Sequence, residues 1–152
     1  SKTWIESLAS QGVSDAHYVE LLSVVVSVRS IDSFHRAMGL EPEVLPVPAP
    51  GEPSRVRPRE AVLDDAFVPL LPPRCPSPKY EDLYPGPMAP FVIRAMSLVP
   101  DAVRWLKDLS SAHYLSMESG EMMNFGESDR PLSRAQTELI AGRVSAVNEC
   151  FY

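Results

Sequence analysis

The stretch that decides the fold class is DAHYVELLSVVVSVRSIDSFHRAMG, residues 15 to 39. Its valine run, taken alone, is compatible with a buried strand as well as with a helix. The segment around that run contains neither proline nor glycine up to residue 38, and this length favours a helix. We therefore predict a helix from Asp15 to Met38, capped by Ser14 or Asp15 and closed by Gly39. Because its centre, LLSVVVSV, is apolar nearly all round, we expect the helix to be buried.

Proline divides the chain, since 14 of the 16 prolines lie between Pro42 and Pro90. Proline fixes φ and lacks the backbone N–H, which excludes regular helix and central strand from this stretch. Segments such as LPVPAPGEP and VPLLPPRCPSP are typical of extended, partly polyproline-II chain. Between them a short helix is predicted over residues 59 to 67. A flexible linker would explain the prolines, but the large apolar side chains favour an ordered strap across a helical core: Phe67, Leu70, Leu71, Tyr80, Leu83 and Tyr84.

Helical patterns flank the proline-rich stretch on both sides. Before it, a short helix is predicted over residues 4 to 9. After it, helices are predicted over residues 89 to 98 and from Asp101 to about Met117, with Pro100 at a first-turn position. A loop over residues 120 to 131 then leads to the last helix.

The last helix has the clearest amphipathic pattern. Ser133 and Gln136 predict a capping box at its N-terminus. Its apolar side chains recur at spacings of four, three and four and so form one face: Ile140, Val144, Val147 and Phe151. No convincing strand alternation occurs anywhere in the chain, so the predicted fold class is all-α.

The composition argues against several classes of protein. A net charge of −6 does not suit a protein that follows a nucleic-acid backbone. No apolar run approaches the ~18 residues that span a membrane, and the N-terminus lacks a signal peptide's apolar segment. Two cysteines make no disulfide framework, and the histidines have no metal-ligand spacing. We expect a soluble, cytoplasmic protein that binds neither nucleic acid nor membrane and carries no cofactor.

Cys150 is a candidate for chemistry. A single cysteine is most often a small buried apolar residue. Asn148, however, favours caps and turns over helix interiors, so a break there would leave Cys150 in a turn that could begin another helix. A thiolate at a helix N-terminus is stabilised by the unpaired N–H groups, which is what a redox cysteine needs.

Glu138 lies twelve residues before Cys150. Alone, a glutamate early in a helix is usually a solvated side chain that favours the helix dipole. On one straight helix the two residues would be ~18 Å apart, too far to cooperate. If the chain turns back near Asn148, a residue about two turns beyond the cysteine would face Glu138. A histidine there could pass a proton between carboxylate and thiol.

The region around Glu138 and Cys150 resembles a known protein family. The stretch PLSRAQTELIAGRVSAVNECFY, residues 131 to 152, resembles the motif region of the carboxymuconolactone decarboxylase and alkyl hydroperoxidase D (AhpD) superfamily. In that motif a helix opens with Leu-Ser or Leu-Thr, and a glutamate lies twelve residues before the first cysteine of Cys-x-x-Cys. A histidine follows four residues after the second cysteine. Asn148, Cys150 and Tyr152 match the common Asn-x-Cys-x-Tyr-Cys form, and residues 92 to 114 are similar to the preceding helices of the peroxidase-related branch.

The N-terminal stretch is similar to a different part of the same family. Residues 12 to 43, GVSDAHYVELLSVVVSVRSIDSFHRAMGLEPE, resemble the last helix and tail of such a domain. The chain therefore resembles the middle of a tandem two-domain protein, although a permuted or split protein would look the same. The implied parts are residues 1–45, the tail of a first AhpD-like unit; 46–87, a proline-rich strap; and 88–152, the front of a second AhpD-like helical bundle that ends within Cys-x-x-Cys.

For function, the resemblance implies a thiol-dependent peroxidase-like oxidoreductase that reduces hydroperoxides. Cys150 would be the resolving cysteine and Glu138 part of a glutamate–histidine proton relay. The peroxidatic cysteine and the relay histidine would lie after Tyr152. The implied partners are a hydroperoxide substrate, a thiol/disulfide electron donor and further copies of the chain in a homo-oligomer.

Other interpretations stay open. The chain can be a catalytically incomplete domain of the same fold that serves assembly or binding. It can also be a carboxymuconolactone-decarboxylase-type enzyme, which Cys150 disfavours because that branch lacks the cysteine pair. His113, at the edge of an apolar helix face, is a candidate lining residue of the substrate pocket and otherwise an ordinary boundary residue. Cys75 is interpreted as an ordinary strap residue, because no base flanks it.

Overall fold

A computed structural model describes residues 2–52, 56–64, 66–84, 86, 89–115 and 130–150. Within these ranges the helices are α1 Lys2–Ser10, α2 Asp15–Ala37, a 3-10 helix Pro78–Leu83, α3 Phe91–Arg94, α4 Pro100–His113 and α5 Arg134–Val147. The described part of the chain has no β-sheet, and its one isolated bridge pairs Val62 with Leu70. The all-α prediction is therefore confirmed. The chain divides into an N-terminal unit, Ser1–His113, and a C-terminal unit, Tyr114–Tyr152.

Helix α2 has the predicted bounds within one residue, because both of its ends carry local signals. The Ser14 hydroxyl accepts a hydrogen bond from the His17 amide over 3.2 Å, which satisfies one of the unpaired N–H groups of the first turn. At the other end Gly39 adopts φ +70°, a left-handed conformation that glycine enters at little cost. The amide of Leu40 then bonds back to the carbonyl of His35 and completes the C-terminal cap.

The expectation that α2 is buried is wrong for the chain on its own. Only Val19 and Ser23 are buried in this helix, whereas Leu21, Val24 and Val25 are each more than half exposed. The helix packs along one side against α4, and one neighbour covers only one stripe of a helix surface. Apolar residues all round α2 therefore leave an uncovered apolar side.

The proline-rich strap supplies much of the core of the N-terminal unit. Together with residues of α2, α3, α4 and the turn before α4, it supplies the fully or nearly fully buried apolar residues of this unit: Val19, Val68, Leu70, Leu71, Tyr80, Leu83, Tyr84, Ile93, Met96, Leu98, Ala102 and Val103. The prediction of an ordered strap is confirmed from residue 68 to residue 84. The prediction for Phe67 is wrong, because its side chain is 60% exposed.

The predicted short helix over residues 59 to 67 is also wrong. The described residues of this stretch form a turn and one side of the bridge between Val62 and Leu70. Two hydrogen bonds join these residues, from the Val62 amide to the Leu70 carbonyl at 3.0 Å and in reverse at 2.9 Å. The pairing of Val62 with Leu70 therefore takes the backbone groups that a helix would have used within one turn.

Hydrogen bonds to the backbone of Leu71 tie the strap to the residues around α3. The Leu71 amide donates to the Ser97 hydroxyl over 2.8 Å, and the Leu71 carbonyl accepts from the Tyr84 hydroxyl over 3.2 Å. The same carbonyl accepts from Nε of the buried Arg94, whose Nη2 also binds the Asp64 carboxylate at 2.9 Å. A strap in a core must satisfy its backbone polar groups, and these side chains do so.

Arg104 attaches the 3-10 helix to α4. Its guanidinium donates to both carboxylate oxygens of Asp82, at 2.6 and 2.9 Å, and to Asp101 one turn earlier at 2.8 Å. Lys107 adds a bond to the Asp82 carbonyl at 2.7 Å. These contacts hold the strap in register on α4.

Two predicted helices are shorter than the sequence suggested. Of residues 89 to 98, only Phe91–Arg94 is α-helical, and the chain then continues in turns. In these turns the Ser97 hydroxyl accepts a hydrogen bond from the Leu71 amide of the strap. Helix α4 begins at Pro100, one residue before the predicted Asp101, and ends at His113. The rest of that predicted helix, from residue 116, and the loop from residue 120 to 129 lie outside the described residues. The division at residue 113 differs from the domain bounds of residues 45 and 87, which remain a prediction.

Candidate functional site

The candidate site lies in the C-terminal unit, in which α5 carries Glu138 and Cys150 follows the end of the helix. The helix begins as predicted, since Ser133 Oγ accepts from the Gln136 amide at 3.3 Å and Gln136 Oε1 accepts from the Ser133 amide at 2.9 Å. This reciprocal pair is a complete capping box. It determines where the helix begins and therefore places Glu138 in the second helical turn.

Two donors hold the Glu138 carboxylate. Arg134 Nη2 lies 2.6 Å from Glu138 Oε1, and the Tyr114 hydroxyl donates to the same oxygen over 2.5 Å. The Arg134 side chain is only 11% exposed and that of Glu138 is 43% exposed, so the carboxylate faces partly inward and partly to solvent. Glu138 is therefore not the freely solvated side chain that its position alone suggests.

Sequence reasoning missed both of these partners. Arg134 and Glu138 are four residues apart on one helix, a spacing at which opposite charges meet, so this pair was available from the sequence. Tyr114 is 24 residues from Glu138, and no local pattern links the two. Burial, together with the bond to Glu138, raises the pKa of Tyr114 to about 12, so its hydroxyl stays a donor at neutral pH.

Helix α5 ends where Asn148 predicted a break. Asn148 is the C-cap, and its side-chain amide donates to the Val144 carbonyl at 2.9 Å. The Glu149 amide bonds to Ala146 and the Cys150 amide to Ser145, the two backbone bonds of a Schellman turn. Such a turn needs one residue in the left-handed backbone conformation, and here Glu149 adopts it with φ 53°. The predicted break is confirmed.

Cys150 is exposed at the end of this turn and is not in a disulfide. Cys150 is therefore not the small buried residue that a single cysteine most often is. The further helix that could follow the turn falls outside the described residues, as does Phe151 of the predicted apolar face. Ile140, Val144 and Val147, the other members of that face, are each more than half exposed.

The structure does not bring Glu138 and Cys150 together. Val147 lies nine positions after Glu138 on α5, a rise of about 14 Å, and Cys150 lies three residues further on. The straight-helix spacing holds only as far as Val147, because the Schellman turn follows it. Any proton path between carboxylate and thiol therefore requires an intervening group.

His113 takes part in packing within the N-terminal unit. Its ring stacks on that of Phe34, with centroids 5.0 Å apart and planes 14° apart, and its Nδ1 is hydrogen-bonded to the Ser30 hydroxyl at 3.2 Å. These contacts join the end of α4 to α2. A pocket role for His113 stays a prediction.

Cys75 lies beside a cavity of about 280 Å³ in the strap. The cavity is lined by Pro73, Arg74, Cys75, Tyr80, Glu81, Tyr84 and Gly86. Burial raises the pKa of the Tyr84 phenol, whose hydroxyl is already bound to the Leu71 carbonyl.

Neither a metal centre nor a membrane span is found in the ranges that the structure describes. Within them, no three or more His, Cys, Asp or Glu side chains are grouped as metal ligands, and no helix has the length and apolarity to cross a bilayer. No family model, no curated protein and no solved structure matches the chain. The resemblance therefore rests on the motif residues themselves.

Proposed function

We propose that the chain carries part of the site of a thiol-dependent, AhpD-like peroxidase, with Cys150 as resolving cysteine and Glu138 in the proton relay. The observation that carries the proposal is the end of α5. The helix stops in a capped turn directly before an exposed thiol, twelve residues after a carboxylate that two donors hold. A redox cysteine must be accessible, and a relay carboxylate must keep one orientation.

The proposed cycle has three steps. The peroxidatic cysteine, which the resemblance puts after Tyr152, attacks a peroxide oxygen as a thiolate. The O–O bond breaks, an alcohol leaves with a proton from the relay, and a sulfenic acid remains. The Cys150 thiolate attacks that sulfur, so that a disulfide forms, the S–O bond breaks and the hydroxide takes a proton from the relay and leaves as water. A dithiol donor then reduces the disulfide and is itself oxidised.

The relay in this proposal has three members, because Glu138 is too far from Cys150 to act alone. A chain that reverses after the Schellman turn can bring a following helix back along α5. A histidine on that helix would lie between the Glu138 carboxylate and the thiols and exchange protons with both.

The test is peroxide turnover by protein made from its full reading frame, with a dithiol as electron donor. Cys150→Ser should abolish donor-dependent turnover, and Glu138→Gln should lower the rate on the order of 10²-fold. Cys75→Ser, which removes a thiol that the proposed cycle does not use, is the matched control and should keep full activity. A cysteine directly after Tyr152 with a histidine four residues further on supports the proposal, whereas their absence or an active Cys150→Ser variant rejects it.

A second candidate is a helical assembly or binding domain, and the surface of α5 favours it. None of the side chains described in α5 is buried, and Leu139 is 74% exposed. On the same helix, Ile140, Val144 and Val147 are also more than half exposed. Exposed apolar side chains along one helix face often mark an interface. Light scattering should then show an oligomer that Val144→Asp dissociates while Glu149→Ala does not; a monomeric wild-type protein would contradict this candidate.

A further inference from the structure

The hydrogen bonds of Glu138 share one oxygen. Tyr114 and Arg134 both donate to Oε1, from 2.5 and 2.6 Å. Two donors on one oxygen restrict the rotation of the carboxylate, and the second oxygen is the one that they leave available. Glu138 Oε2 is thus the oxygen through which this carboxylate can exchange a proton with another group.

Tyr114 is itself held in place from its backbone side. Arg130 Nη1 donates to the Tyr114 carbonyl over 2.7 Å, while the Tyr114 hydroxyl reaches Glu138. The residue is bound at both ends, and both partners belong to the C-terminal unit. Arg134, in contrast, comes with α5 itself, one helical turn before Glu138. Tyr114 is therefore the contact that tertiary structure adds to the carboxylate.

The chemistry of the phenol suits a positioning role. At neutral pH the hydroxyl keeps its proton, since burial and the bond to Glu138 raise the pKa of Tyr114 to about 12. It can then donate a hydrogen bond to the carboxylate without removing a proton from the relay. A lysine in the same place would add a second full charge beside Arg134, whereas a phenol orients the carboxylate without one.

We propose that Tyr114 is a positioning residue of the relay, which binds Glu138 Oε1 so that Oε2 faces the proton-exchanging partner. The inference rests on the proposed peroxidase function and adds a residue that the family motif does not contain. Tyr114 itself touches neither peroxide nor thiol in this scheme and acts only through Glu138.

The experiment is a double-mutant cycle of peroxide turnover in the full-length protein. Tyr114→Phe removes one oxygen and keeps the ring, and should lower kcat about 10-fold while KM for the peroxide stays the same. In a Glu138→Gln background the same change should have no further effect, because the oriented group is gone. Tyr18→Phe in α2 removes a hydroxyl from the other unit and is the matched control.

The outcomes separate the two proposals. Full kcat in Tyr114→Phe beside a slow Glu138→Gln variant overturns the positioning role and leaves the peroxidase proposal in place. Losses that multiply in the double variant also overturn it, since Tyr114 would then act apart from Glu138. A wild-type protein without peroxide turnover overturns the peroxidase function and this role with it.

A second measurement is a spectroscopic titration. Ultraviolet titration of the wild-type protein should find a tyrosine hydroxyl that is released near pH 12 and is absent from the Tyr114→Phe titration. The difference between the two titrations distinguishes Tyr114 from Tyr84, whose pKa burial also raises. Release of the Tyr114 proton near its ordinary value of about 10 would show that the phenol is not bound to Glu138, and would overturn the proposal.

Discussion

The Leu71 amide donates a hydrogen bond to the Ser97 hydroxyl over 2.8 Å, and both residues are fully buried. This bond joins the proline-rich strap to the turn between α3 and α4. Beside it, the Leu71 carbonyl takes the hydroxyl of Tyr84. Leu71 thus contributes both an apolar side chain and a satisfied backbone to the core.

Ser97→Ala should destabilise the protein, because it leaves the Leu71 amide buried without its acceptor. An unsatisfied buried donor costs about 1–3 kcal/mol, which urea denaturation monitored by circular dichroism resolves. Ser33→Ala, on the exposed side of α2, is the control and should be neutral or slightly stabilising. Equal stability of the Ser97 and Ser33 variants would mean that the Leu71–Ser97 bond adds nothing to the fold.

Acid should weaken the attachment of the 3-10 helix to α4. The hydrogen bond from Arg104 lowers the pKa of the Asp82 carboxyl. A carboxyl with a depressed folded pKa stabilises the protein above the unfolded value of about 4, and this stability is lost as pH falls through the lower folded value. The free energy of unfolding should therefore decline in that window, and less steeply in Arg104→Met.

The size of this effect is limited by solvent. The Arg104 side chain is 35% exposed and that of Asp82 is 51% exposed, so water and salt screen the pair to at most about 1 kcal/mol. Arg29→Met, at an exposed position of α2, is the control and should keep the wild-type pH dependence. An Arg104→Met variant with an unaltered acid limb would exclude this pair as its source.

Alkali should weaken the C-terminal unit through Tyr114. Because the folded pKa is raised to about 12, the neutral phenol stabilises the fold fully below the unfolded value of about 10. That contribution is lost as pH rises from 10 toward 12. Glu138→Gln removes the negative charge beside the phenol and should bring its titration closer to 10. The measurement is the phenolate absorbance, and an unmoved titration in Glu138→Gln would contradict the bond.

Glu149→Gly should stabilise the turn before Cys150. Glu149 has φ 53°, a left-handed conformation in which a side chain costs about 1 kcal/mol and glycine does not. The midpoint temperature of thermal unfolding should therefore rise in Glu149→Gly. Glu149→Ala, which keeps a Cβ, should leave that temperature nearly unchanged. If the glycine and alanine variants gained equal stability, the gain would come from the lost charge and not from relief of backbone strain.

Much of the candidate site was predictable because its signals are local. Ser133 and Gln136 lie within one turn and predict the start of α5, and Asn148 predicts its end. The strap's order followed from its apolar content, but its hydrogen bonds to Arg94 and Ser97 did not. The burial of α2 was predicted wrongly, since a sequence pattern says which side chains are apolar and not how many neighbours cover them.

The sequence alone determined the all-α class, the caps of α2 and α5, and the spacing of Glu138 and Cys150. All of these depend on backbone and side-chain groups within a few residues of one another. Only the tertiary structure decided that the strap forms the core and that Tyr114 binds Glu138 from 24 residues away. Such contacts arise from packing between distant segments, whose geometry no periodicity or capping signal encodes.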